Sequence, residues 1–328
     1  MGQTSMGRQD VEQASQRLTG VVYETPLEYS NTFSRISGGE VYLKCENLQR
    51  TGSFKIRGAY NTIAQLKAAG NVTQIVAASA GNHAQGVAYA ATQLEIPTTI
   101  VMPTGSPLPK IEATRNYGAE VVLAGDNYDE AYKRALEIQQ EVGGTFVHPF
   151  DHPAVIAGQA TVGTELLKKL PDVDMVFVPA GGGGLLAGVA FYLKQINPRI
   201  QIVGVQAKGA DAIANSFRLG VLTPTPKVDT IADGIAVKQP GKLTFELISQ
   251  HVDQMITVGD TAIASTILTL LERSKLMVEP AGATALTGLL SGQIDVAGKK
   301  CVAILSGGNI DVNFVGKIIE KGLAARDR

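Results

Sequence analysis

An α/β fold, two open and mainly parallel twisted sheets flanked by helices, is predicted by three observations on this sequence. Strand-like apolar runs alternate with helical patterns, one such run feeds four consecutive glycines, and 328 residues at 45% hydrophobic content suffice for two packed lobes but not for many domains. The first series of strands is Glu40 to Glu46, Gln74 to Ser79, Thr98 to Pro103 and Glu120 to Gly125. Between them the spacing predicts helices over Lys110 to Tyr117 and Tyr128 to Val142, the second capped by Asp126 or Asn127, whose short side chains can accept from unpaired N–H groups. A second series, Met175 to Ala180, Ile200 to Ala207, Met255 to Val258 and Cys301 to Ser306, brackets helices such as Asp260 to Ser274 and builds the larger lobe.

The glycine run Gly181, Gly182, Gly183 and Gly184 joins the strand ending at Ala180 to a helix opening with Leu185. Without Cβ atoms the backbone can reach positive φ and approach an anion, while unpaired N–H groups and the helix dipole supply partial positive charge. A nucleoside triphosphate loop would close with Lys-Ser or Lys-Thr, and Leu185-Leu186 stands there instead. Gly182, Gly184 and Ala187 fit the looser dinucleotide pattern, but the next strand ends with Gln206 and not with the acidic residue a ribose needs. The competing explanation is close helix–sheet packing, for which one glycine usually suffices.

A smaller phosphorylated cofactor needs a second anchor, and Ser53-Phe54-Lys55-Ile56-Arg57-Gly58 offers a lysine among apolar residues near a helix start. A partly dry amine has a lowered pKa, the condition for Schiff-base chemistry with an aldehyde. An aldehyde with a phosphate means pyridoxal 5'-phosphate. Taken alone Lys55 would be one more solvated lysine, like Lys67 or Lys194; its pairing with the glycine run makes the difference. The loop Ser79-Ala80-Gly81-Asn82-His83 follows a strand and opens a helix with donors suited to a substrate carboxylate, and Ser306 ends another strand with a hydroxyl that can donate to a ring nitrogen.

On these residues, together with Ala232-Asp233-Gly234-Ile235-Ala236-Val237, Glu279-Pro280-Ala281-Gly282-Ala283 and Ser306-Gly307-Gly308-Asn309, the chain resembles the fold type II pyridoxal phosphate enzymes of tryptophan synthase β-like architecture, and most closely the short, catabolic threonine dehydratases. The resemblance covers nearly the whole chain. It implies that Lys55 forms the Schiff base, Phe54 packs beside the ring, and Asn82 bonds the ring hydroxyl. It further implies that Gly181 to Gly184 with Leu185 hold the phosphate, Ser306 meets the pyridine nitrogen, and Gly234 touches the site by its backbone. Ser79, Ala80, Gly81, Asn82 and His83 would surround the substrate carboxylate, mainly through main-chain donors. It also implies a discontinuous large domain, 1–47 with 149–328, a small domain, 48–148, the cofactor in the cleft between them, and a homo-oligomer, dimer or tetramer.

The expected chemistry is α,β-elimination. The substrate amine displaces Lys55, which then removes the Cα proton; the β-hydroxyl leaves with a proton from the cofactor phosphate, and hydrolysis yields 2-oxobutanoate and ammonia from threonine, or pyruvate from serine. A neutral Ser306 cannot hold a pyridinium as an aspartate would, so elimination is favoured over long-lived carbanions. Serine racemase is the alternative within the resemblance, but it requires an acid that the family places as a serine where this chain has Ala80. A phosphate-binding module without chemistry is the alternative from another class. Relatives with a cation site supply a carboxylate where this chain has Gln206, so no metal and no strong cation dependence are expected.

Composition agrees. Lys plus Arg number 29 against 30 acidic residues, without basic blocks or Trp, so a nucleic-acid surface has no electrostatic support and small solutes are the expected partners. There is no apolar stretch long enough to span a membrane, and Met1-Gly2-Gln3-Thr4-Ser5 lacks the apolar core of a secretory signal, so a cytoplasmic enzyme is expected. The chain stops at Arg328 soon after the last helical pattern, and end-product feedback through a further lobe is not expected. Cys45 and Cys301 each fall in an apolar run and read as buried thiols. His148 and His152 are four apart, but Pro149 and Pro153 interrupt any shared helix face. Glu279-Pro280 reads as a helix start.

Overall fold

The structure is a computed structural model that describes residues 6–70 and 72–326; the segment Met1 to Ser5 and the terminal Arg328, on which the reading of the chain ends rested, lie outside the described residues. In chain order the strands are β1 Leu27–Tyr29, β2 Glu40–Lys44, β3 Ile75–Ala78, β4 Thr98–Met102, β5 Glu120–Leu123, β6 Thr145–Phe146, β7 Met175–Pro179, β8 Gln201–Ala207, β9 Gln254–Val258 and β10 Lys300–Ile304. The chain divides into two compact units, one drawn from Met1–Val22 and Lys55–Gln159, the other from Tyr23–Phe54 and Ala160–Arg328.

The first unit holds a four-stranded parallel sheet in the order β5-β4-β3-β6. Successive side chains of a strand point to opposite faces. Ile75, Ala77, Ile100 and Met102 therefore pack with Ala84, Val87 and Ala88 of the helix Asn82–Gln93. Val76, Ala78 and Val101 pack on the other face with Ala131, Ala135 and Ile138 of the helix Tyr128–Val142. Helices cover both faces, which is why these strands read as unbroken apolar runs. Asn127 is the cap of the second helix, its Oδ1 accepting from Glu130 N at 3.1 Å.

The second unit carries a six-stranded sheet, β1-β2-β10-β7-β8-β9, in which only β1 runs antiparallel to its neighbour. Phe177, Val203, Val205 and Ala303 meet Ala281, Ala283, Leu286 and Leu289 of the helix Pro280–Leu290. That helix is apolar all round because it is buried all round. Glu279 stands at its N-cap position without a side-chain capping bond, and Pro280 follows in the first turn, where a missing N–H costs nothing.

Several elements differ from expectation at their ends. The helix Asp260 to Ser274 is α-helical only over Asp260–Thr269 and finishes as a π-helical turn, Leu270–Ser274, before Lys275 turns left-handed at φ 58°. The helix expected from Lys110 starts at Leu108, since Pro109 in a first turn needs no hydrogen-bond acceptor. Cys45 follows β2 instead of lying in it. The helix Arg8–Leu18, with Val11, Ala14 and Leu18 buried, was not anticipated. No helix among the described residues is long and apolar enough to cross a membrane.

Candidate active site

Lys55 is the first residue of the helix Lys55–Ala68, and its Nζ donates to the carbonyl of Pro149 at 2.9 Å. The two helices of this region come together through Gly86, where a Cβ would lie 3.0 Å from Ile56 N and 3.1 Å from Lys55 C. The acceptor is set by a turn that the sequence did not reveal. His148 Nδ1 accepts from Phe150 N at 3.2 Å and from Asp151 N at 2.8 Å, folding the segment whose Pro149 carbonyl meets the amine.

Two imidazoles neighbour Lys55, and both are held neutral. Burial, with the Lys55 charge as the next cause, pushes His83 down to about 3. Burial likewise lowers His148 to about 4, against the opposing pull of Asp151 and with a further push from Lys55. His83 Nε2 lies 3.0 Å from Val147 O, so the neutral ring carries its hydrogen on Nε2 and donates it there. His152 Nδ1 accepts from Ala154 N, and this histidine sits ahead of a helix start, not on a shared metal-binding face with His148.

The segment Ser79, Ala80, Gly81, Asn82 and His83 connects β3 to the helix Asn82–Gln93, which no side chain caps. Ser79 Oγ accepts from Gly81 N at 3.2 Å, and nothing lies within 4 Å of where a Cβ on Gly81 would be. The sequence therefore leaves a small-residue loop with room beside Gly81 at a helix N-terminus, an arrangement suited to a carboxylate.

In the other unit the glycine run links β7 to the helix Gly184–Ile196, with Gly183 left-handed at φ 98°. Among the described residues the N–H groups of Gly182, Gly183, Gly184, Leu185 and Leu186 have no hydrogen-bond partner. Gly182 is held from its carbonyl side, which accepts from Thr244 Oγ1 at 2.7 Å. Packing also matters: a Cβ on Gly181 would lie 2.9 Å from Ile235 Cα, and one on Gly183 would lie 2.9 Å from Thr244 Cβ and Ile248 Cδ1. Close packing thus accounts for two of the glycines but not for a row of unpaired donors at a helix N-terminus, which fits a phosphate. Gly234 N donates to Asp233 Oδ1 at 2.8 Å.

Ser306 is buried just beyond β10, and its carbonyl accepts from Phe54 N at 3.1 Å. Gln206 is fully buried with both ends of its amide engaged: Nε2 donates to Ala180 O at 3.1 Å, and Oε1 accepts from Ala214 N at 2.8 Å. It ties the residue ahead of the glycine run to the first turn of the helix Ala212–Leu219. Among the described residues no cluster of three or more His, Cys, Asp or Glu could hold a metal ion. Both thiols are buried and free, and burial pushes each up to about 12. The roles of His148, the Pro149 carbonyl and the Gln206 bridge had no sequence signal beyond residue type, since each depends on which main-chain group lies opposite.

Comparison with known proteins follows the same lines. The model of the family described as "Pyridoxal-phosphate dependent enzyme" matches residues 18–307. The chain is 52% identical over 320 residues to an L-threonine ammonia-lyase of Thermotoga maritima, covering 98% of this chain and 80% of that protein. Among solved structures, the processed form of threonine deaminase isoform 2 from Solanum lycopersicum superposes with a TM-score of 0.92 at 39% identity, over 98% of this chain and 89% of the other. Maize serine racemase superposes with a TM-score of 0.90 at 35% identity, over 98% of both. The fold is the tryptophan synthase β-like, type II fold of these enzymes.

Proposed function

We propose, for a chain that belongs to the pyridoxal-phosphate dependent enzyme family, that the reaction is deamination of L-threonine to 2-oxobutanoate and ammonia by α,β-elimination, with L-serine going to pyruvate. The observation that carries this reading is the setting of Lys55: a primary amine at a helix start, bonded to the Pro149 carbonyl and neighboured by two imidazoles that burial keeps uncharged. The likeness to threonine ammonia-lyase and threonine deaminase supports the substrate class.

The residues present fit pyridoxal phosphate. When bound, it supplies a carbonyl that condenses with amines and a conjugated ring that accepts electrons from a substrate Cα. In this reading Gly181, Gly182, Gly183, Gly184 and Leu185 hold its phosphate, Asn82 its ring hydroxyl and Ser306 its ring nitrogen, with Phe54 beside the ring and the Gly234 carbonyl nearby. Ser79, Ala80, Gly81, Asn82 and His83 surround the substrate carboxylate and offer it main-chain N–H groups other than those of Ser79 and Gly81, which bond Val101 O and Ser79 Oγ, while the His83 imidazole is occupied with Val147. Lys55 Nζ takes the proton from the substrate Cα, and the Pro149 carbonyl accepts a hydrogen bond from the ammonium so formed. The proton taken from Cα and the departing β-hydroxide together make up the one water lost, and one water returns when the released enamine tautomerises and hydrolyses, so the atoms balance. We also read the protein as a cytoplasmic homo-oligomer, dimer or tetramer, acting on a small hydroxy amino acid.

Serine racemase is the second reading, favoured by the likeness to the maize enzyme and opposed by Ala80, whose methyl group has no proton to deliver. Borohydride trapping followed by mass spectrometry is expected to locate a pyridoxyl group on Lys55; an adduct on another residue, or none, overturns the proposal. Assays of keto-acid release beside α-proton exchange separate the two readings, and D-serine as the main product would favour the racemase.

A further inference from the structure

Residues 51–54 are fastened to residues 306–309. Phe54 N donates to Ser306 O at 3.1 Å, Ser53 and Gly307 form an antiparallel bridge, and Gly308 N donates to Gly52 O at 2.9 Å. The last link is a side chain: Asn309 Nδ2 donates to Thr51 O at 2.7 Å. The backbone held by these contacts is strained at Thr51, φ 63° and ψ 9°, ahead of Gly52 at φ 70°, which glycine adopts freely. A β-branched residue rarely takes the left-handed region. The Thr51 side chain does not explain the conformation, because its buried Oγ1 has no hydrogen-bond partner. Asn309 also fills the space beside Gly52, where a Cβ would overlap its Oδ1.

We propose that Asn309 is a positioning residue: its amide holds Thr51 left-handed, which fixes the register of Ser53-Phe54 against Ser306-Gly307 and thereby the point from which the next residue, Lys55, departs. Strain of this kind persists where surrounding structure over-determines it, and it gathers at functional sites. The inference rests on the proposed function in taking Lys55 and Ser306 as partners of one cofactor. It gives Asn309, the last residue of the Ser306-Gly307-Gly308-Asn309 motif, a role toward the anchor lysine.

A double-mutant cycle on Asn309→Ala and Thr51→Gly tests it, read out by urea unfolding of the cofactor-free protein and by the absorbance and release rate of pyridoxal phosphate bound to the holoenzyme. Thr51→Gly alone should behave much like wild type, since glycine adopts the same φ without strain. Asn309→Ala should lower the unfolding midpoint, shift the absorbance band and release the cofactor about tenfold faster, within the coupling seen between contacting residues. Adding Thr51→Gly should recover most of these losses. Additive losses, or an unchanged band and release rate in Asn309→Ala, overturn the proposal. If Asn309→Ala does not fold, Asn309→Asp, which loses the donor but keeps the size, takes its place in the same cycle. The unfolding arm contains no cofactor, so a wild type without pyridoxal phosphate on Lys55 sinks the functional reading while the coupling is still decided.

Discussion

Around Gly181 to Gly184 an anion would be met by the main chain alone, whereas the proposed chemistry at Lys55 would depend on an amine bonded to the Pro149 carbonyl beside two imidazoles that burial keeps uncharged. The first arrangement has nothing to titrate and no room for a Cβ at Gly181 or Gly183. The second should respond most to changes of protonation or acceptor position. One region should therefore break under added atoms, and the other under added protons.

The largest effect is expected at the amine itself. Lys55→Ala removes the proposed anchor and base together and should lower kcat by about 10⁴-fold, with loss of the yellow colour that a Schiff base on Lys55 would give; a variant that keeps both would end the comparison. Acidification comes next. His83 and His148 are depressed to about 3 and about 4 in the folded protein and return to about 6.5 when unfolded. Between those values the unfolded chain binds more protons, so their contribution is complete above about pH 6.5 and falls as pH drops toward 4 and 3, by up to ~1.4 kcal/mol per unit for each group. Urea midpoints at pH 7.5 and pH 5 should show the loss, and it should be smaller in His148→Asn; equal slopes in the two proteins would refute the assignment.

In the glycine region, Gly183→Ala should cost about 1–3 kcal/mol and weaken cofactor retention, because φ is 98° and Thr244 and Ile248 already occupy the space. Gly220→Ala is the control: φ is 70° with nothing within 4 Å, so strain alone remains and retention should not change. A finer probe of the lysine region is His148→Leu, expected to slow turnover about tenfold. His148→Asn should do better, since its Oδ1 can accept the N–H groups that now meet Nδ1. Equal rates in the two variants would separate the turn from the amine. The smallest effect is expected from a chelator. With the Gln206 amide satisfied at both ends, activity should not change, and collapse followed by recovery with magnesium would contradict that.

Legibility followed the same division. The glycine run, the Asn127 cap and the Glu279-Pro280 helix start were readable because residue type itself carries the constraint. Strands were found but overrun at their ends: Cys45, Ala180 and Leu305 stay buried one residue past the regular ladder and still donate a backbone hydrogen bond across to the neighbouring segment, so apolar burial does not mark where a strand stops. Thr51 gave no warning of a left-handed backbone, because threonine is among the residues least suited to it. The Pro149 carbonyl was invisible for another reason: every residue has a carbonyl, and only the fold says which one meets an amine.

The two buried thiols have a practical consequence. With both pushed up to about 12, almost no thiolate exists at neutral pH, and the intact protein should ignore iodoacetamide. Carboxamidomethylation of Cys45, on the edge of the β2 segment, and of Cys301 within β10 would then time the opening of the second unit's sheet, giving a label-based clock for local unfolding that needs neither substrate nor cofactor.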